Sequence, residues 1–426
     1  MTTNRKNYLL PIIMMIALFG MISFVTGLQN PMAVIVKDQF EASNFMSQLG
    51  NFANFIAYAF MGIPAGLLLQ RIGYKKTALA AICVGFVGVG IQYLSGFYSS
   101  FGIYLTGAFV AGFSMCMLNA VVNPMLNTLG GGGKKGNQLI QIGGSFNSLN
   151  ATIVPVLVGY LIGNASRPSI KDASPALLLA MGIFAIVFIV LYIMNIPEPA
   201  LERKVKATNE TKSKYSALSF RHFVLGAIAI FIYVGVEVGI PNIMNLFMTD
   251  LKSGLSIEPV KAGTIVGTYW FLMLIGRLIG ASIGSKFSSK AMLVFAASLG
   301  IVFVLVAIIA PLSIEVAMPV FKSGFTFGLE IVPLSIMLLT LCGLCTSIMW
   351  GGIFNLAVEG LGKYVESASG IFMMMVCGGG LLPLLQGWIA DNLGYITSYW
   401  VVFAGLAYMM YYAFIGSKNV NKDIPV

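Results

Sequence analysis

The chain has 426 residues, of which 58% are hydrophobic and only 9% charged, and its mean hydropathy is +0.89. Soluble domains run near 45 to 50% apolar and about 25% charged, so these values exclude a soluble globular class. The net charge of +10 is scattered over loop ends, which excludes nucleic-acid binding and points to contact with anionic lipid.

A helix of about 20 residues crosses roughly 30 Å of hydrocarbon, and runs of that length divide the chain into twelve spans. The first six cover Tyr8 to Val36, Ser47 to Gln70, Thr77 to Leu94, Phe101 to Leu126, Gln138 to Ile162 and Pro175 to Ile196. The second six cover His222 to Met248, Thr264 to Ile283, Ala291 to Ala310, Val332 to Val358, Ser369 to Ala390 and Tyr395 to Ile415. The first run is too long for a cleavable signal and stays as a helix.

Between the groups lies "EPALERKVKATNETKSKYSALSFRH", the longest polar stretch and too short for a core of its own. The expected domains are therefore residues 1–197 and 222–426, joined by a cytoplasmic linker at 198–221. Only Lys37, Arg167, Lys171, Lys252, Lys261 and Lys322 fall on the outer side, while all other basic residues except Arg277 collect on the inner side. By the positive-inside rule both termini are cytoplasmic, as expected of a multi-pass protein of the plasma (inner) membrane. All five cysteines lie within spans, and the CxxC of Cys342 and Cys345 reads as packing.

The halves repeat weakly. The fourth span ends "NPMLNTLG" and the tenth "NLAVEGLG", and each is followed by a helix with internal Gly and a Pro, at Pro155 and Pro383. This resembles the major facilitator architecture: an all-α membrane protein with twelve transmembrane helices in two six-helix bundles related by pseudo-two-fold symmetry. After the second span, "PAGLLLQRIGYKK" resembles that superfamily's cytoplasmic gate motif at Gly66, Arg71, Gly73 and Lys75, with Lys76 alongside. Gln70 stands where the motif usually has an acid. A basic loop that simply obeys the positive-inside rule is the alternative reading.

"NAVVNPMLNTLG", "SFNSLNATIVP", "YVGVEVGIPNIM", "GRLIGASIG", "SIMWGGIFNLAVEGLG" and "GGGLLPLLQGWIAD" together resemble the fucose:proton symporter family, with its glucose/galactose and N-acetylglucosamine transporters. The resemblance implies uptake of a neutral mono- or small oligosaccharide by a monomer with no cofactor. Helix depth also places Asn119, Asn147, Glu237 and Trp350 near mid-membrane, and amides with one aromatic face suit a polyol. The candidate substrate residues are Gln29, Asn30, Asn119, Asn123, Asn147, Asn150, Trp350 and Asn355; the competing role for each amide is interhelical glue.

Alignment through "DQF" and "NP" puts Asn30 and Asn119 where proton-coupled fucose transporters carry acids. Glu237 is then the remaining acid of the membrane interior and the candidate for ion coupling, with Arg277 as its partner or counter-ion. The coupling ion is a proton, with sodium coupling or uncoupled uniport as alternatives and a polyspecific drug exporter as the rival cargo class. An enzyme is not expected: the one His is His222 in a loop, no metal cluster is present, and "GGGGKKG" lacks the context of a phosphate loop.

Overall fold

The computed structural model describes residues 8–130, 133–162, 169–198, 215–283, 287–322, 326–421 and 423–424. Among these residues 12 helices are long and apolar enough to cross a membrane. They are α1 (Leu9–Gln39), α2 (Leu49–Leu69), α3 (Arg71–Tyr98), α4 (Phe101–Leu126), α5 (Ile142–Leu161), α6 (Ser174–Ile193), α7 (Arg221–Thr249), α8 (Pro259–Gly280), α9 (Ser289–Ile309), α10 (Leu334–Val358), α11 (Gly370–Leu393) and α12 (Tyr395–Gly416). Each satisfies its backbone internally, as hydrocarbon demands. An even number of spans puts the start of α1 and the end of α12 on one face, called here the termini face.

The expected spans are all present, and polar side chains cap some of their starts. Ser100 and Ser288 cap α4 and α9 by accepting from the Ile103 and Ala291 N–H groups. α10 breaks after Thr346 and resumes at Met349, and α11 turns at Val376 and Cys377. Residues 199–214, the bulk of the expected linker, lie outside the described residues.

The first six helices meet the last six mainly through α5 on α8 and α2 on α11. Glycines allow the close approach. A Cβ on Gly263 or Gly267 would stand 2.8 Å from the Pro155 carbonyl oxygen or 2.9 Å from that of Thr152, and one on Gly380 would stand 2.9 Å from the Phe52 Cα.

Among the described residues one hairpin is not helical. Between α9 and α10, β1 (Glu315–Lys322) pairs antiparallel with β2 (Thr326–Pro333). The stretch falls almost wholly between two expected spans, because a single hairpin gives too short a period-two signal beside apolar helices.

On the face away from the termini the two halves are bound together. Lys37 Nζ of α1 lies 2.6 Å from Asp250 Oδ2, 2.6 Å from the Tyr395 hydroxyl and 2.7 Å from Asn44 Oδ1. Asp391 of α11 accepts from the N–H groups of Asn44 and Phe45 at 2.7 and 2.8 Å, across the interface. Asn51 of α2 donates to the Gly379 carbonyl at 2.7 Å. Burial pushes the Asp250 carboxyl up, but hydrogen bonds from Lys37, Tyr395, the Lys252 N–H and Ser253 outweigh it and hold it well below the usual carboxylate range.

Candidate substrate site

Between the halves lies a cavity of about 1170 Å³. Its lining includes Leu129 and Gly130 beyond the end of α4 and Phe287, Ser289 and Met292 at the start of α9, so it extends to the termini face. The contacts of Lys37, Asp391 and Asn51 close its other end.

α4 brings Asn119 and Asn123 to the wall, α5 brings Asn147, and α10 brings Trp350 and Asn355. Asn119 and Asn123 are four residues apart, the spacing that returns a side chain to one helix face. Asn119 Nδ2 donates to the Tyr58 hydroxyl and the Met115 carbonyl, both at 3.1 Å, and Asn123 Nδ2 donates to the Asn119 carbonyl at 3.0 Å. These bonds use the Nδ2 groups, and an amide also carries a side-chain oxygen that can accept. The Trp350 ring lies 6.1 Å from that of Tyr233, so two aromatics share this wall. Ser23 of α1 donates to the Asn147 carbonyl and fixes α5 against α1.

Two of the expected residues are elsewhere. Gln29 is buried inside the first bundle, where its Oε1 accepts from the Tyr104 hydroxyl at 3.2 Å. Asn150 folds back on its own helix, donating to the Phe146 carbonyl at 3.0 Å. Neither lines the cavity. Both are one helical step away from residues that do, a difference sequence spacing alone does not resolve.

Asn30 lines the cavity, and its amide is committed across the interface. Its Nδ2 donates to Asn242 Oδ1 and its Oδ1 accepts from Asn245 Nδ2, both at 2.7 Å. Asn242 Nδ2 donates in turn to Gln48 Oε1 at 3.3 Å. Sequence reasoning missed Asn242, Asn245 and Gln48, although Asn242 stands five residues beyond Glu237 in a run already singled out and Asn245 three further on.

Glu237 also lines the cavity, with its side chain 14% exposed. Its Oε1 is 3.4 Å from Arg277 Nη2, as expected for the pair. Arg277 Nη1 donates at 2.7 Å to the Gly144 carbonyl of α5, so this one guanidinium touches both halves. The Tyr269 hydroxyl lies 3.0 Å from the Glu237 carbonyl and 3.1 Å from Thr346 Oγ1, joining α7, α8 and the break in α10.

At the junction of α2 and α3, Gly73 has φ +83, and a Cβ there would meet the Glu198 carboxylate. That carboxylate accepts from the Tyr74 and Lys75 N–H groups at 2.6 and 3.0 Å, while Lys75 Nζ donates to the Tyr192 carbonyl at 2.8 Å. An acid from beyond α6 thus caps the chain at this junction. The Gln70 side chain itself lies outside the described residues. Gly66 has open space around its Cβ position and Arg71 is exposed.

The sequence pattern of the Major Facilitator Superfamily matches residues 14–382. The chain belongs to that superfamily. Its members are transporters, not enzymes, and this one is an integral multi-pass membrane protein. It is 30% identical over 429 residues to a glucose/galactose transporter of Brucella abortus, covering 98% of this chain and 97% of that one. It is 24% identical over 417 residues to the L-fucose-proton symporter of Escherichia coli, covering 93% and 90%. The crystal structure of the superfamily transporter FucP in the outward conformation superposes with a TM-score of 0.69 at 19% identity, over 97% of this chain and all of that one. At that identity the superposition bears on the fold alone.

Proposed function

We propose that this superfamily member takes up a neutral sugar by alternating access, as a proton symporter with Glu237 as the coupling acid. Sugar is the cargo class of both relatives by name, and the amides of Asn119, Asn123, Asn147 and Asn355 with the Trp350 ring suit a polyol. A greasier wall would suit a drug exporter. With both termini cytoplasmic, the cavity opens inward and the Lys37 and Asp391 contacts form the closed outer gate.

The observation that carries the coupling is the sharing of Arg277 between Glu237 and the Gly144 carbonyl. A proton on Glu237 removes the carboxylate partner and leaves the guanidinium held by the opposite half. A link between ion occupancy and the contact of the two halves is what symport requires. The alternative of uncoupled uniport draws on Asn30 and Asn119, which stand in neutral hydrogen-bond networks and cannot titrate.

The test is transport of labelled sugars into proteoliposomes under imposed proton or sodium gradients, for wild type and Glu237→Gln. Under the proposal a proton gradient drives accumulation in the wild type, while Glu237→Gln loses accumulation and keeps counterflow. Accumulation by the mutant makes Glu237 a structural partner of Arg277. Equilibration without accumulation in the wild type makes the protein a uniporter, and accumulation with sodium alone changes the ion.

A further inference from the structure

α10 is interrupted beside the cavity wall. One helical segment ends at Thr346 and the next starts at Met349, and a continuous helix would here draw a bond from the Trp350 N–H to the Thr346 carbonyl. Among the described residues no backbone hydrogen bond joins these two groups. Thr346 is fully buried, and a carbonyl opened in such a place needs another donor. α7 supplies it: the buried Tyr233 hydroxyl donates to the Thr346 carbonyl at 3.1 Å. The Tyr233 ring is also the aromatic neighbour of Trp350, at 6.1 Å, and both residues line the cavity.

The same hydroxyl has a second neighbour. Glu237 stands four residues further along α7, on the same face, and its carboxyl is within hydrogen-bonding reach of the phenol. Among the described residues the other charged or titratable groups facing Glu237 are Arg277 and Tyr269 of α8, while Cys342 and Cys345 of α10 face Tyr269. The Tyr269 hydroxyl is engaged by the Glu237 carbonyl and Thr346 Oγ1, and the Arg277 guanidinium by the Glu237 carboxylate and the Gly144 carbonyl. Tyr233 thus stands between the carboxyl and the opened carbonyl.

A phenol has one proton to donate and lone pairs with which to accept. With Glu237 ionised, the carboxylate is the stronger acceptor, because hydrogen bonds to a charged oxygen are roughly twice as strong as neutral ones. The Tyr233 O–H then turns to Glu237, and the donor left for the Thr346 carbonyl is the Trp350 N–H. With a proton on Glu237, the acid donates to the phenol oxygen and the phenol O–H stays on the Thr346 carbonyl, where this structure has it. No covalent bond of Tyr233 changes; only the acceptor of its proton does.

We propose that Tyr233 is a positioning residue that links the proton on Glu237 to the break in α10, and through the break to the placement of the Trp350 ring against the sugar. This role rests on the reading of Glu237 as the coupling acid, and it gives the ion a route to the substrate wall. Protonation keeps α10 broken and Trp350 at the wall. Ionisation lets the helical bond between Trp350 and Thr346 form and draws the ring away. Sugar therefore binds more tightly to the protonated carrier, the sign of coupling that symport requires.

The experiment measures the affinity of the purified full-length protein for glucose, galactose and fucose as a function of pH, by scintillation proximity, for wild type, Tyr233→Phe and Glu237→Gln. Phenylalanine keeps the ring beside Trp350 and removes only the hydroxyl. Wild-type affinity should rise several-fold as pH falls, Glu237→Gln should hold the tighter value at every pH, and Tyr233→Phe should hold the weaker one. Tyr233→Phe with the wild-type pH profile overturns the inference and leaves Glu237 as the coupling acid. A flat wild-type profile, or one that survives in Glu237→Gln, overturns that reading of Glu237 and the inference with it. Deuterium uptake over residues 347–352 decides the matter even where Tyr233→Phe does not fold. At one neutral pH uptake should be faster in Glu237→Gln than in wild type, because the open break leaves the Trp350 N–H without the Thr346 carbonyl; equal uptake overturns the inference.

Discussion

Lys37 Nζ stands 2.6 Å from Asp250 Oδ2, and this pair joins α1 to the end of α7 on the face away from the termini. With Tyr395 and Asn44 around it, the ammonium makes three short contacts spanning both halves. A hydrogen bond to a charged group contributes roughly 1.5 to 3 kcal/mol. Lys37→Met should therefore shift the protein by about that much toward the state open on this face. Electron resonance distances between labels at Met46 and Leu251 would lengthen; an unchanged distribution would assign the closure to Asp391 and Asn51 instead.

The same lock has a predictable response to pH. Asp250 is held below the ordinary carboxylate range, so its contribution is complete above the ordinary pKa of about 4 and is lost as pH falls through the depressed value. Between pH 5 and 8 the Met46 to Leu251 distance should not change on account of this pair. A distance that responds within that window would point to another titrating group.

Asn30 uses both ends of its amide, donating to Asn242 and accepting from Asn245. A carboxylate can only accept. Asn30→Asp would restore the acid of the related symporters but leave the Asn242 oxygen without its donor, a loss of about 1 to 3 kcal/mol. Deuterium uptake in the Asn44–Ser47 segment should accelerate at neutral pH. Uptake at the wild-type rate would show that the amide ladder does not hold the halves together.

Glu198 caps the start of α3 through two backbone N–H groups, in the way a side chain caps any helix start. Such caps are worth roughly 0.5 to 2 kcal/mol. Glu198→Ala should lower the unfolding temperature in detergent and slow transport while leaving sugar affinity near wild type, and Gly73→Ala should do the same through its strained φ. A large loss of affinity in either would tie this junction to the binding site.

The cavity wall separates amides that the sequence treats alike. Asn147→Ala should weaken sugar binding by about 0.5 to 1.5 kcal/mol for each hydrogen bond lost, roughly two- to tenfold. Gln29→Ala and Asn150→Ala, both outside the lining, should leave affinity unchanged when measured by thermal shift with the same sugar. Equal losses in all three would mean that the sugar binds in a differently shaped cavity.

Composition and run length were enough to place all twelve spans, because in hydrocarbon only a long apolar helix satisfies its own backbone, and that requirement leaves a direct mark on the sequence. The pairing of Glu237 with Arg277 was legible for a related reason: a charge in an apolar run is rare enough to stand out and needs a partner. The roles of Gln29, Asn30 and Asn150 were not legible. Asn30 lines the cavity and Gln29 and Asn150 stand one helical step from residues that do, and helix rotation decides whether such a group meets substrate, the opposite half or its own backbone. Glu198 caps the start of α3 because the chain beyond α6 returns there, a contact between residues more than a hundred positions apart. The sequence by itself thus determined the membrane class, the span count and which groups are chemically unusual. Only the tertiary structure decided which face is closed, which amides are held by neighbours, and that a hairpin packs against α8, since each of these depends on side chains brought together from distant turns.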